Sequence, residues 1–331
     1  KPARALGRGG RPRGAMRGAV DLIILALYAV RAAAFYWQLE AVEHAYLATA
    51  AYCGYPKTAR ASLEAWACGP PCAHVWGMAQ VRQILTPDNN DAYAFVGKLR
   101  GRCVLAFRGT SNLAGWSQDL KSAELVELQG QGVPCSYGGS PCRVGDGFMA
   151  NYNSIAAFIR GNLSEIGCWP GARMTITGHS LGAAEAIIAM YDLRGQGYRI
   201  ERTYTFGQPR VGDRTFAAAF DRDVGRGTAF RVTYHRDPVV HLPLENEARG
   251  GFTHTATEVF YDGPVCKGHI VCNGSGEDRR CSDRYTDLFQ MVKSCLQDVN
   301  ACDHLHYMTP AKMSLMDGSS CMSGASAEVL V

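Results

Sequence analysis

The sequence contains no Cys-x-x-Cys pair, no uninterrupted apolar run of membrane-spanning length and, beyond residue 40, no excess of either charge. Each absence closes off a class. Cysteines that lack paired spacing with histidines do not make a zinc ribbon or finger. The longest apolar run, residues 22–30, is well short of the roughly 20 residues a comfortable span requires. Residues 1–40 hold seven Lys/Arg and two acids, which leaves 27 bases and 28 acids in the rest, so no basic face is offered to nucleic acid.

What remains is long and apolar enough for a full α/β core: 331 residues, 47% of them apolar. The division expected is a basic and apolar leader over 1–39 and a single domain over 40–331. Residues 1–18 are rich in Gly, Arg and Pro, and 19–34 are largely apolar. That pairing reads as a signal peptide or a short signal anchor tethering the chain to a membrane, with an amphipathic propeptide helix as the alternative.

Thirteen cysteines point to an oxidising compartment. Cys68 and Cys72, Cys135 and Cys142, and Cys272 and Cys281 have the spacing of local loop staples, and Cys295 with Cys302 is a further expected pair. An odd count leaves at least one thiol over. Cys103, inside an apolar strand, is expected to be that buried free thiol. Two Asn-x-Ser sequons, at Asn162 and Asn273, agree with secretion and with a glycoprotein.

Along the chain, a helix over 41–52 stops at Cys53-Gly54-Tyr55-Pro56. Strands at 92–98 and 102–108 form a hairpin, and a helix runs from 149 to about 166. Between them, Leu113, Trp116 and Leu120 share one face of a short helix, which suits either a mobile lid or a helix packed permanently on the core. Further strands follow at 198–206 and 229–234. Strands alternating with helices imply a mainly parallel sheet covered on both faces.

The chain is organised around Met174-Thr175-Ile176-Thr177-Gly178-His179-Ser180-Leu181-Gly182-Ala183-Ala184. A β-branched run enters Gly-x-Ser-x-Gly and leaves as a helix, a strand-turn-helix with Ser180 at its apex. A serine hydroxyl attacks only when a base takes its proton and donors await the oxyanion. The N–H of Leu181, at a helix start, is one such donor. Asp237 lies just past a strand end, where reactive groups of such sheets collect. The order Ser, acid, His is then met by Ser180, Asp237 and His304, with His306 as the competing base.

These segments, with Phe206-Gly207-Gln208-Pro209-Arg210-Val211-Gly212-Asp213, Asp237-Pro238-Val239-Val240-His241-Leu242-Pro243, Val104-Leu105-Ala106-Phe107-Arg108-Gly109-Thr110 and Asp303-His304-Leu305-His306-Tyr307, resemble the class 3 lipases, the filamentous-fungal triacylglycerol lipases. The resemblance spans roughly residues 40–321. It implies an α/β-hydrolase fold with a short lid helix, Ser180 as nucleophile, Asp237 as orienting acid and His304 as base. It also implies an oxyanion hole from Thr110 and Leu181, with Asp119 holding the Thr110 hydroxyl. Segment 111–120 becomes the lid, carrying Leu113 and Trp116. By the same resemblance Cys53 pairs with Cys321, and Cys68–Cys72, Cys135–Cys142 and Cys272–Cys281 are bridges.

The function so implied is a secreted, monomeric serine carboxylester hydrolase, a triacylglycerol lipase working at an oil-water interface without metal or organic cofactor. Feruloyl esterase and phospholipase A1 on the same fold are the alternatives within the enzyme class. A catalytically inactive lipid-binding homologue is the alternative outside it.

Overall fold

Residues 102–107 show why the chain layers as it does. Cys103, Leu105 and Phe107 pack into one apolar cluster while Val104 and Ala106 pack into another, and all five are buried. A strand whose alternate residues enter two different cores is covered on both faces. The computed structural model describes residues 35–54, 60–85, 92–110, 123–128, 134–245, 251–298 and 301–308. The chain divides into two units, 1–35 and Tyr36 onward. Residues 1–34 of the expected leader, and its apolar stretch, lie outside the described residues.

One of the nine strands of the main sheet, Arg199–Ile200, pairs with Arg173–Met174 off the main path, and the other eight follow in chain order. They are β1 (Met78–Leu85), β2 (Tyr93–Leu99), β3 (Arg102–Phe107), β4 (Arg173–His179), β5 (Thr203–Phe206), β6 (Ala229–Tyr234), β7 (Glu258–Tyr261) and β8 (Ile270–Val271). From β3 to β7 neighbouring strands are parallel; β1–β2, β2–β3 and β7–β8 are antiparallel. The fold class expected is therefore met, with a parallel centre and antiparallel edges. Leu99 pairs with Arg102, so the β2–β3 hairpin turns on Arg100 and Gly101.

Three of these strands were not expected. β1 carries Arg82 and Gln83 beside a register shift between Ala79 and Arg82, which breaks the alternation a sequence reading depends on. β7 is four residues long and β8 two, too short for a clear period.

Helix α1 (Gln38–Ala50) lays Ala41, Ala45 and Ala48 against β4 and β5 on one face. On the other face lie α2 (Asp146–Glu165) and α3 (Leu181–Gly195). α3 is buried without a break from Leu181 to Leu193, and its alanines at 183, 184, 186 and 189 let it sit close to the sheet. Register fixes what these layers present: Phe107 pairs with Gly178, Phe206 with His179, and Tyr234 with Tyr261, so the carboxyl ends of the central strands lie side by side.

Cys68–Cys72, Cys135–Cys142, Cys272–Cys281 and Cys295–Cys302 are disulfides. Cys103 corrects the expectation of a free thiol: it is bonded to Cys168, joining β3 to the segment just after α2 across 65 residues. Its apolar setting came from burial beside that partner, not from isolation. Among the described residues the free cysteine is the exposed Cys266. Cys53 is disulfide-bonded, and its expected partner Cys321 lies outside the described residues.

Candidate active site

β4 ends at His179 and α3 begins at Leu181, so Ser180 makes the whole turn alone, at φ 60° and ψ −127°. That strained backbone is tied down by its N–H, which donates to Phe206 O at 2.9 Å. The flanking glycines are there for space. A Cβ on Gly178 would lie 2.2 Å from Gly182 O, and one on Gly182 would lie 2.6 Å from Phe107 O. Strand, elbow and helix are thus in backbone contact, which a side chain at either position would prevent.

His304 stands between Asp237 and the end of β5. Its Nδ1 is 2.8 Å from Asp237 Oδ2 and 3.0 Å from Oδ1, and both residues are at most 1% exposed. The Val239 N–H donates to Asp237 Oδ1 at 2.7 Å, and the Tyr307 hydroxyl donates to Oδ2. Burial pushes the Asp237 carboxyl up, but His304 and these two hydrogen bonds outweigh it and hold it below the ordinary carboxylate value. An ionised carboxylate only accepts, so His304 carries its proton on Nδ1 and turns Nε2 free as a base.

Among the described residues, His304 Nε2 and Ser180 Oγ are both buried without a hydrogen-bond partner. Catalytic hydrogen bonds are often loose until substrate binds. A Cβ on Gly207, one residue past β5, would lie 2.8 Å from His304 Cε1. Of the two candidate bases the structure brings His304, and not the half-buried His306, to Asp237.

Thr110 lies three residues past β3, half-buried, and a Cβ on the preceding Gly109 would approach Ser180 Cβ to 3.1 Å. Leu181 opens α3, where Ser180 O already takes the N–H groups of Ala183 and Ala184. Leu113, Trp116 and Asp119, expected in the lid and behind Thr110, lie outside the described residues.

A sequence model of the class 3 lipases matches residues 104–247, which hold Thr110, Ser180 and Asp237. The chain is 29% identical over 247 residues to secreted mono- and diacylglycerol lipase 1 of Fusarium solani, covering 69% of this chain and 68% of that one. It is 31% identical over 210 residues to a lipase of Rhizomucor miehei, covering 61% of this chain and 51% of the other. The middle of the chain, residues 104–247, matches the class 3 lipase family. The chain's fold is that of a lipase from Yarrowia lipolytica, with a TM-score of 0.66 at 24% identity, covering 83% of this chain and 93% of that structure. The chain spans about two thirds of the length of the first of these sequence relatives and about half of the second.

The remaining histidines have other partners. His235 lies 2.9 Å from Asp303, and its pKa is raised by that hydrogen bond. His241 and His254 are buried near Arg210 and Arg231. Burial and those cations push each pKa down to about 4. Arg210 ties the loop after Asp237 in place, donating to His241 O at 2.7 Å and to Glu277 at 2.8 and 2.9 Å. Glu245, Glu277 and Asp283 approach one another closely enough for a cation, but the Arg210 guanidinium already supplies the positive charge there. Cys272 and Cys281, beside Glu258, are committed to a disulfide and offer no thiolate.

Two side chains of the candidate site escaped the sequence reading. Tyr307 was visible only as the end of the Asp-His-Leu-His-Tyr string, and nothing in spacing aims its hydroxyl at Asp237. His179 reads as part of the elbow, pointing away from the base. It does not: its ring lies 4.5 Å from that of His304 between centroids, and its Nε2 is 2.8 Å from the His304 carbonyl oxygen.

Proposed function

We propose that this chain is a serine carboxylester hydrolase, a triacylglycerol lipase acting by Ser180, His304 and Asp237 at lipid-water interfaces. The observation that carries the reading is the buried imidazole of His304, whose Nδ1 faces Asp237 and whose Nε2 is left free beside the elbow. In the proposed cycle His304 Nε2 takes the Ser180 proton as Oγ attacks the ester carbonyl. The tetrahedral oxyanion is met by the Leu181 N–H and by Thr110, its hydroxyl held by Asp119. Collapse expels the alcohol, protonated by the imidazolium that Asp237 stabilises. Water, activated by the same His304, then releases the fatty acid and frees Ser180.

The lipase names of the relatives favour acylglycerols, and so does a lid bearing Leu113 and Trp116, whose apolar face would be exposed on opening at a lipid surface. In this proposal residues 1–39 are a leader, 40–331 the catalytic domain, and the product a secreted monomer. The membrane tether through 19–34 applies if the leader is retained. No described helix is long and apolar enough to cross a membrane.

The test is hydrolysis of a long-chain triacylglycerol emulsion, a phosphatidylcholine dispersion and soluble methyl ferulate, with Ser180→Ala as the blank. Emulsion activity that rises sharply once substrate exceeds its solubility supports the lipase. Preference for phospholipid or ferulate would move the assignment to phospholipase A1 or feruloyl esterase. Activity in Ser180→Ala would remove the mechanism.

A further inference from the structure

His179 is the last residue of β4, and its ring bridges two segments far apart in sequence. Nε2 lies 2.8 Å from the backbone carbonyl oxygen of His304, and Nδ1 lies 2.8 Å from the Tyr52 hydroxyl. A carbonyl oxygen only accepts, so Nε2 carries the proton. With the ring neutral, Nδ1 is an acceptor and Tyr52 must donate to it. The direction of both hydrogen bonds is therefore settled by the chemistry of the two ends.

Neutrality has its own support. Burial and the neighbouring His304 push the His179 pKa well below the ordinary histidine value. The two imidazole rings are 4.5 Å apart between centroids. In the proposed cycle His304 becomes an imidazolium, and a second cation at that distance would oppose it. A ring fixed as a neutral donor holds the His304 backbone without that cost.

The other end of the bridge is equally well placed. Tyr52 belongs to the 3-10 turn Ala51–Gly54 that follows α1, and a Cβ on Gly109 would lie 2.2 Å from its hydroxyl. Gly109 precedes Thr110. The bridge thus touches the segment proposed for the oxyanion, the elbow and the loop of the base at once.

We infer that His179 is a positioning residue: taking a hydrogen bond from Tyr52 and giving one to the His304 carbonyl, it sets where the His304 ring stands relative to Ser180. The inference rests on the reading of Ser180, His304 and Asp237 proposed above. It assigns His179 no proton in the reaction.

The experiment is steady-state hydrolysis of soluble p-nitrophenyl butyrate by the full chain and five variants, with thermal melting of each. His179→Asn cannot reach the His304 carbonyl and is expected to lower kcat about 10- to 100-fold with KM changed less than about twofold, the penalty of a displaced general base. His179→Gln, whose amide N–H reaches toward the former Nε2 position, should recover kcat to within about threefold of wild type. Tyr52→Phe, a mild change at a half-buried site, should lower kcat about 3- to 10-fold and cost nothing further in the His179→Asn background.

Wild-type kcat in His179→Asn overturns the inference. So does a Gln variant no better than Asn, or losses from Tyr52→Phe and His179→Asn that multiply. Ser180→Ala separates the two levels: if it is inactive the underlying reading stands and these outcomes judge His179 alone, whereas activity in it removes the reading itself.

Discussion

The Tyr307 hydroxyl and the His304 ring share one oxygen of Asp237: Tyr307 donates to Oδ2, which also lies 2.8 Å from His304 Nδ1. With the Val239 N–H on Oδ1, the buried carboxylate is held from three sides before any substrate arrives. Its charge is thereby kept where an imidazolium would form.

Removing one holder should weaken the acid without dismantling it. Tyr307→Phe is expected to raise the Asp237 pKa, because a hydrogen bond to the charged form is lost, and to lower kcat about tenfold. Asp237→Asn removes the charge and the acceptor that selects the His304 tautomer, and should cost about 10³- to 10⁴-fold. Comparable rates for the two variants would mean that the hydroxyl and not the carboxylate carries the effect.

The covalent framework separates long from short closures. Opening Cys103–Cys168 by a double Ala substitution frees a 65-residue loop, for a loss of about 4 kcal/mol on the chain-entropy view, against about 2 kcal/mol for Cys68–Cys72. Guanidinium unfolding of the two variants gives the comparison, and equal losses would rule out loop length as the cause. In the native protein a maleimide should label Cys266, and Cys266→Ser should abolish labelling.

The acids around Arg210 predict a pH signature. Burial and the nearby Glu277 carboxylate push Asp283 up to about 7 from its ordinary 3.8. Between those values the folded protein holds a proton that the unfolded chain has released, so this group's contribution to stability falls as pH rises through that window. Asp283→Asn removes the term while His241 and His254, which also titrate there, remain common to both proteins. The difference in Tm, variant minus wild type, should therefore grow by at least ~3 °C between pH 4 and pH 8. A constant difference would show that Asp283 is ionised throughout.

How far the sequence foretells this arrangement depends on whether the information is local. The Ser180 elbow is legible because strand, glycines and helix are consecutive, and Asp237 because it follows a strong strand. The β2–β3 hairpin is legible for the same reason. β1 is not, since a register shift disrupts its alternation, and the Cys103–Cys168 bridge is not, since a separation of 65 in sequence carries no spacing signal. Tyr307 and His179 fail for a third reason: their partners are a carboxylate 70 residues away and a carbonyl 125 residues away. Only the register of β4 with β5 and the path of the last loop bring them together.

Gly207 offers the sharpest separation of site from scaffold. It follows β5 with φ +55°, its N–H donates to Val232 O, and a Cβ there would stand 2.8 Å from His304 Cε1, 2.9 Å from Nδ1 and 3.0 Å from Asp237 Oδ2. The backbone strain of an alanine at positive φ costs on the order of 1 kcal/mol, which a core of this size tolerates. The steric cost falls almost wholly on the imidazole, whose ring must shift by several tenths of an ångström out of its seat on Asp237. Gly207→Ala should therefore keep a cooperative melt within a few degrees of wild type and lose at least about 100-fold in kcat, as expected when a general base is displaced. Near-normal kcat in a folded Gly207→Ala protein would mean that His304 has room to work from another position, and the tight seat between Gly207 and Asp237 would then be incidental to the chemistry.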